Sequence, residues 1–154
     1  MKKILSAIFA TAAIVSAASA QEAGEWTIAP KVNIYTHTGT SVVIGLGTGV
    51  RYSITDSFRI EPSAVFMIDN NSTLEFSCDL HYLIPLGDSW SVYPVAGLVA
   101  NDIIGWSSGV NLGAGFDFAI AEKWDLTAQA KWQAMFHKMR MNPIMITVGA
   151  SYYF

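Results

Sequence analysis

Between Trp26 and Phe154 the chain holds successive runs that follow one rule, an apolar side chain at nearly every second position. Even-numbered steps read Trp26, Ile28, Pro30, Val32, Ile34; then Phe58, Ile60, Pro62, Ala64, Phe66, Ile68; then Trp90, Val92, Pro94, Ala96, Leu98, Ala100; then Trp124, Leu126, Ala128, Ala130, Trp132, Ala134, Phe136, with no charged residue among them. The return runs behave alike. Ile44, Leu46, Val50 and Tyr52 alternate with Gly45, Gly47, Gly49 and Arg51, and Leu74, Phe76, Cys78 and Leu80 with Glu75, Ser77, Asp79 and His81. Period two places such residues on one face of an extended strand.

The runs are organised in repeats. Trp26, Phe58, Trp90 and Trp124 each open a segment of the form aromatic, any, aliphatic, any, Pro or Ala, at intervals of 32, 32 and 34 residues. That period raises a solenoid or a propeller, but each unit holds two alternating runs and no helix. Eight runs of about ten residues match tilted strands that cross a bilayer. Residues 121–139 carry enough Ala, Lys, Gln and Met for a helix on propensity alone. Helical spacing from Trp124 would mix Lys131 with apolar positions, whereas period two keeps the apolar residues from 124 to 136 together except Met135.

The connections alternate in character. TDS (55–57), GDS (87–89) and AEK (121–123) are tight polar turns just ahead of an aromatic; THTGTS, DNNS, NDIIGW and HKMRMNP form a second, mostly longer set. Short turns at one end and longer loops at the other is the polarity of an outer-membrane barrel. The expected fold is all-β: an eight-stranded antiparallel up-and-down transmembrane β-barrel. Pro30, Pro62 and Pro94 fall at one level of three strands, and because proline removes a ladder hydrogen bond they are expected to mark a row of bulges or rim distortions.

The ends of the chain complete this arrangement. Residues 1–20 combine a basic start, a short Ala-rich apolar run and ASA before Gln21, which reads as a secretory signal peptide and leaves residues 21–154 as one barrel domain. Trp26, Phe58, Trp90 and Trp124, joined by Tyr152 and Phe154 of the closing strand, are expected to form an interfacial aromatic girdle at the short-turn end.

Composition adds exclusions. The chain is 52% hydrophobic and 14% charged; its net charge of −3 falls to −5 once Lys2 and Lys3 leave with the leader, which offers no nucleic-acid footprint. Cys78 is the single cysteine, so no internal disulfide framework exists.

These residues resemble a known family, the small eight-stranded outer-membrane β-barrels such as the OmpA transmembrane domain and OmpX, over the whole of residues 21–154. In that family a closing strand that alternates apolar residues and ends in Phe, here ITVGASYYF with Tyr152 and Phe154, resembles the signal read by the barrel-insertion machinery. The resemblance implies the outer membrane of a Gram-negative bacterium, lipid as the principal partner and no cofactor; a monomer is the simplest expectation. The chain departs from better-known members in having no domain after the barrel and short outer loops, so neither peptidoglycan tethering nor loop-borne adhesion is implied.

The inner stripe carries Lys31, Arg51, Arg59, Glu61, Glu75, Asp79, His81, Asp117, Asp125 and Lys131. Both signs in a confined space predict a lumen network of ion pairs, centred on Lys31, Arg51, Glu61, Asp79, Asp117 and Lys131, that plugs the barrel. Lys131 is expected to bridge Glu61 or Asp117, with strand glycines making room for long side chains.

Other motifs carry little chemistry. GLGTG is followed by no helix, NNST reads as a loop, and His37, His81 and His137 show no metal-ligand spacing. The leading function is a non-enzymatic structural or interaction barrel. A small pore ranks second, since eight strands leave an interior just wide enough for side chains. A lipid-modifying enzyme would need a nucleophile and base at the outer rim, where Ser107, Ser108 and His137 are the candidates. A soluble lipocalin-like carrier would invert the stripes, with charges outside.

Overall fold

The computed structural model describes residues 22–38, 42–68, 73–103, 105–136 and 142–154; residues 1–20, His137, and most of the outer loops lie outside them. The alternating runs become strands β1 (Trp26–Thr36), β2 (Val43–Ser53), β3 (Phe58–Ile68), β4 (Thr73–Tyr82), β5 (Ile84–Pro85), β6 (Trp90–Asn101), β7 (Ser107–Ala121), β8 (Trp124–Met135) and β9 (Ile144–Tyr153). β4 and the two-residue β5 form one crossing interrupted at Leu83, so nine segments make eight crossings. Every neighbour pairs antiparallel, and β1 pairs with β9, which closes the sheet. Residues 121–139 contain no described helix: β8 occupies their centre as strand.

The C-terminus is tied into the ring. Phe154 N donates to Trp26 O at 3.1 Å and Tyr153 N to Lys123 O at 3.1 Å, so the last two residues extend the pairing of β9 with β1 on one side and with β8 on the other. In the first tight turn Thr55 Oγ1 accepts the Ser57 and Phe58 amides at 3.3 and 3.0 Å, so the hydroxyl supplies the acceptor that the ladder cannot.

The period-two pattern sorts side chains to the two faces of the wall. Trp26, Leu46 and Leu98 are 53%, 51% and 66% exposed, whereas Arg51, Glu61, Asp79 and His81 are fully buried. Charges therefore point inward and aliphatics outward, the opposite of a soluble lipocalin-like barrel.

The three prolines do not form bulges. Pairing of β1 with β9 passes from Ile28↔Tyr152 to Lys31↔Gly149, skipping Ala29 and Pro30 without a change of register. β2–β3 pairing passes from Gly49↔Ser63 to Tyr52↔Ile60, skipping Glu61 and Pro62. β6 pairs through Val95 with β4 and resumes at Val92 with β5, skipping Tyr93 and Pro94, which accounts for the break at Leu83. Each proline lacks the N–H aimed at the preceding strand, and the ladder opens locally there while the flanking pairs hold the register. In the fourth repeat Ala128 stands where proline would, and its ladder to β7 runs unbroken through Phe116↔Ala128. Among the described residues a register shift occurs instead between Ala119 and Ala121.

Candidate functional site

The inner stripes converge on a buried polar network in the half of the lumen nearer the short turns. Arg51 of β2 is its hub. Its Nε donates to Glu61 Oε2 at 2.5 Å, Nη1 to Ser151 Oγ at 2.6 Å and Nη2 to Thr127 Oγ1 at 3.0 Å, and Nη1 lies 3.6 Å from Asp117 Oδ2. Lys31 of β1 pairs with the other oxygen of Glu61. Four strands thus meet at one guanidinium, whose planar fork suits several acceptors at once.

Asp117 of β7 forms the second node. Arg59 Nη2 reaches its Oδ2 at 2.9 Å, while Tyr93 and Thr127 hydroxyls donate to Oδ1 at 3.0 and 2.6 Å. Arg59 also donates from Nε to His81 Nδ1 at 3.1 Å and lies 4.8 Å from the centre of the Tyr93 ring, on which His81 stacks at 4.7 Å. Because Nδ1 accepts, His81 holds its proton on Nε2.

Lys131 reaches Asp79 at 2.7 Å, rather than Glu61 or Asp117, and Asn111 donates to the same carboxylate at 2.8 Å. The expected partners assumed that strands across the barrel meet at equal depth. Barrel strands are tilted and staggered, so depth does not follow position along the strand. Glu61 is in any case occupied by Lys31 and Arg51.

Glycines on the wall give these side chains their space. A Cβ on Gly49 would lie 2.8 Å from Glu61 Oε1, and one on Gly115 would overlap the edge of the Tyr93 ring.

Of the five buried lumen carboxylates, Glu75 and Asp125 stand outside the described ion pairs. Glu75 accepts from three neutral donors on three strands, Tyr35 (3.1 Å), Asn101 (3.3 Å) and Gln133 (3.0 Å). Asp125 accepts from Tyr153 near the short-turn mouth. Burial, with the Glu22 and Asp125 carboxylates nearby, pushes the Glu25 carboxyl up.

Above Glu75 the lumen changes character. Tyr35, Val43, Val65, Met67 and Met145 form a buried apolar cluster against which Ile103, from the loop after β6, packs. These residues stand on the inner stripes of the sequence, but the polar reading of those stripes took no account of them; their signal was apolar residues at both alternating positions beside the loops.

On the outer face the aromatics predicted for the girdle meet cross-strand partners: Trp26 with Tyr52 at 4.7 Å, Phe58 with Tyr82 at 5.0 Å, Trp90 with Phe118 at 4.6 Å and Trp124 with Tyr152 at 5.0 Å. Tyr152 also contacts Phe154 edge-on at 5.7 Å. Tyr52, Tyr82 and Phe118 enter these ring pairs although the sequence reading did not single them out; each is the last or nearly the last apolar step of a return run. At the loop end Trp106 stacks on Phe76 at 6.3 Å. Cys78 is exposed on the outer face, Ser108 is exposed and Ser107 half-buried.

Residues 5–154 match the family model described as the outer membrane protein beta-barrel domain. Solved structures share the fold. The N-terminal β-barrel domain of Pseudomonas aeruginosa OprF superposes with a TM-score of 0.74 at 21% identity, covering 87% of this chain and 100% of that one. Neisserial surface protein A gives 0.64 at 13% identity, covering 84% and 96%, and Ail of Yersinia pestis 0.57 at 13%, covering 86% and 99%. No curated protein matches the chain. With a closed eight-crossing sheet, aliphatics outside and charges inside, the chain belongs to the outer membrane protein beta-barrel domain family of the Gram-negative outer membrane.

Proposed function

We propose that the protein is a non-enzymatic, monomeric structural or interaction barrel whose lumen is closed, exported by a leader at residues 1–20 and handed to the insertion machinery through Tyr152 and Phe154. The observation that supports this reading is the Arg51 hub: one guanidinium draws acceptors from β3, β7, β8 and β9 across the lumen. Side chains of an eight-stranded barrel suffice to fill it. Lipid is the principal partner through the outward aliphatics and the paired aromatic girdle.

The test uses the wild-type chain, recovered from the outer-membrane fraction and shown to be closed by its heat-dependent mobility on a detergent gel. In planar bilayers it is expected to insert without conductance steps. Steady single-channel steps would replace this reading by that of a small pore.

A further inference from the structure

At the short-turn end, the entry segment 22–25 and the turns at 55–57, 87–89 and 121–123 carry Glu22, Glu25, Asp56, Asp88 and Glu122, and among these described residues Lys123 is the one cation. Its place is set by the backbone. The ladder between β7 and β8 shifts register between Ala119 and Ala121, the turn of Glu122 and Lys123 follows, and Lys123 O accepts the Tyr153 amide at 3.1 Å. A register shift of this kind re-aims the residues beside it. Lys123 Nζ stands 6.0 Å from the centre of the Tyr152 ring, which meets Trp124 at 5.0 Å and Phe154 at 5.7 Å. Lys123 is exposed, so its ammonium heads an aromatic cluster spanning β8 and β9 at the level where a girdle meets lipid headgroups.

We propose that Lys123, with Tyr152 and Trp124, holds the phosphate of one phospholipid of the leaflet at the short-turn end, and that it prefers an anionic headgroup such as phosphatidylglycerol to zwitterionic phosphatidylethanolamine. The lysine stem lies against apolar surface while its head reaches water and headgroups, and a charge-assisted hydrogen bond to a phosphate oxygen is the contact that such a head makes there. The two rings offer flat faces to the lipid chains and bring their own polar handles to the same level. Elsewhere on this rim the turns present carboxylates, which repel an anionic headgroup, so the site is single and lies at the β8–β9 seam. The inference rests on lipid as the principal partner and deepens it, from a general apolar contact to one addressed lipid.

The experiment adds equal amounts of phosphatidylglycerol and phosphatidylethanolamine to the delipidated barrel in detergent and weighs the complexes by native mass spectrometry, for wild type, Lys123→Arg, Lys123→Gln and Tyr152→Leu. Wild type is expected to retain one lipid, with phosphatidylglycerol favoured about fivefold, the scale of one lysine's attraction to an anionic lipid. Lys123→Arg keeps that preference, Lys123→Gln falls to parity, and Tyr152→Leu moves toward parity because the ammonium loses its seat. Heat-dependent mobility shows which variants are folded, and Trp124→Leu takes the place of Tyr152→Leu if that does not fold. Parity or no retained lipid in wild type overturns the proposal. So does an undiminished preference in Lys123→Gln, which places the contact elsewhere, or in the aromatic variant, which reduces the site to a surface lysine. The lipid contact of the outer face is decided separately, by recovery of the barrel from the outer-membrane fraction, and can stand while this site falls.

Discussion

The two faces of the same strands are built by opposite physics. On the outer face Leu46, Val50 and Leu98 need nothing but an apolar neighbour, and any aliphatic of similar size serves. On the inner face, one residue away in sequence, Arg51 makes three hydrogen bonds and Glu61 is shared between Arg51 and Lys31. Specificity therefore resides inside: the lipid face tells the chain that it belongs in a bilayer, and the lumen tells the strands which neighbours and which depths are theirs. A buried charge deprived of its partner is heavily penalised, whereas a lipid-facing methyl group can be exchanged.

The comparison breaks most strongly at the lumen hub. Arg51→Leu removes a partner from both Glu61 and Asp117, and a loss of about 3–5 kcal/mol is expected, read as a lower temperature for the heat-dependent mobility change. Lys131→Met should act similarly by stranding Asp79, while Lys131→Met/Asp79→Leu should recover most of that loss, since an apolar pair substitutes for a buried ion pair. Failure of the double variant to recover would mean that Asn111 and its neighbours depend on the charges as well.

Next comes the reverse violation. Leu46→Arg, a charge on the lipid face, is expected to destabilise by about 2–4 kcal/mol if Leu46 sits near the bilayer midplane, measured by urea unfolding in vesicles. Equal stability to wild type would place that face in water.

Gly115→Ala tests lumen packing without any change of charge. The new methyl group overlaps the Tyr93 ring, which hydrogen bonds to Asp117, Thr127 and Gln129 hold in place. Overpacking of this sort costs about 1–3 kcal/mol, again visible in urea unfolding. The smallest effect is expected at Pro62→Ala, which offers an N–H to the open stretch between β2 and β3; a change below about 1 kcal/mol, in the stabilising direction, follows from the net worth of one hydrogen bond.

Much of this was legible in the sequence because period two survives in every crossing. The strands and the sidedness of Arg51, Asp79 and Cys78 all follow from counting alternate residues. What required the third dimension depends on register and stagger. The partner of Lys131 is Asp79 because strand tilt shifts depth from strand to strand. The partners of Trp26, Phe58 and Trp90 emerge only when each return strand's last apolar step is set opposite the next strand's first. The prolines mislead for a subtler reason: a missing N–H breaks hydrogen bonds without moving the chain, and the closed ring holds the register that an edge strand could lose. The apolar cluster of Tyr35, Val43, Val65, Met67 and Met145 escaped because the inner stripe reads as polar through most of its length and changes character only near the loops.

The most direct test of the two-faced wall is a nitroxide scan along β8, one label at a time from Trp124 to Met135 in a Cys78→Ser background, in lipid bilayers. Collisions with dissolved oxygen are expected to alternate with period two, high at Leu126, Ala128, Ala130 and Trp132 and low at Thr127, Gln129, Lys131 and Gln133. The reverse phase would put the charged stripe on the lipid, and a period of 3.6 would make β8 a helix.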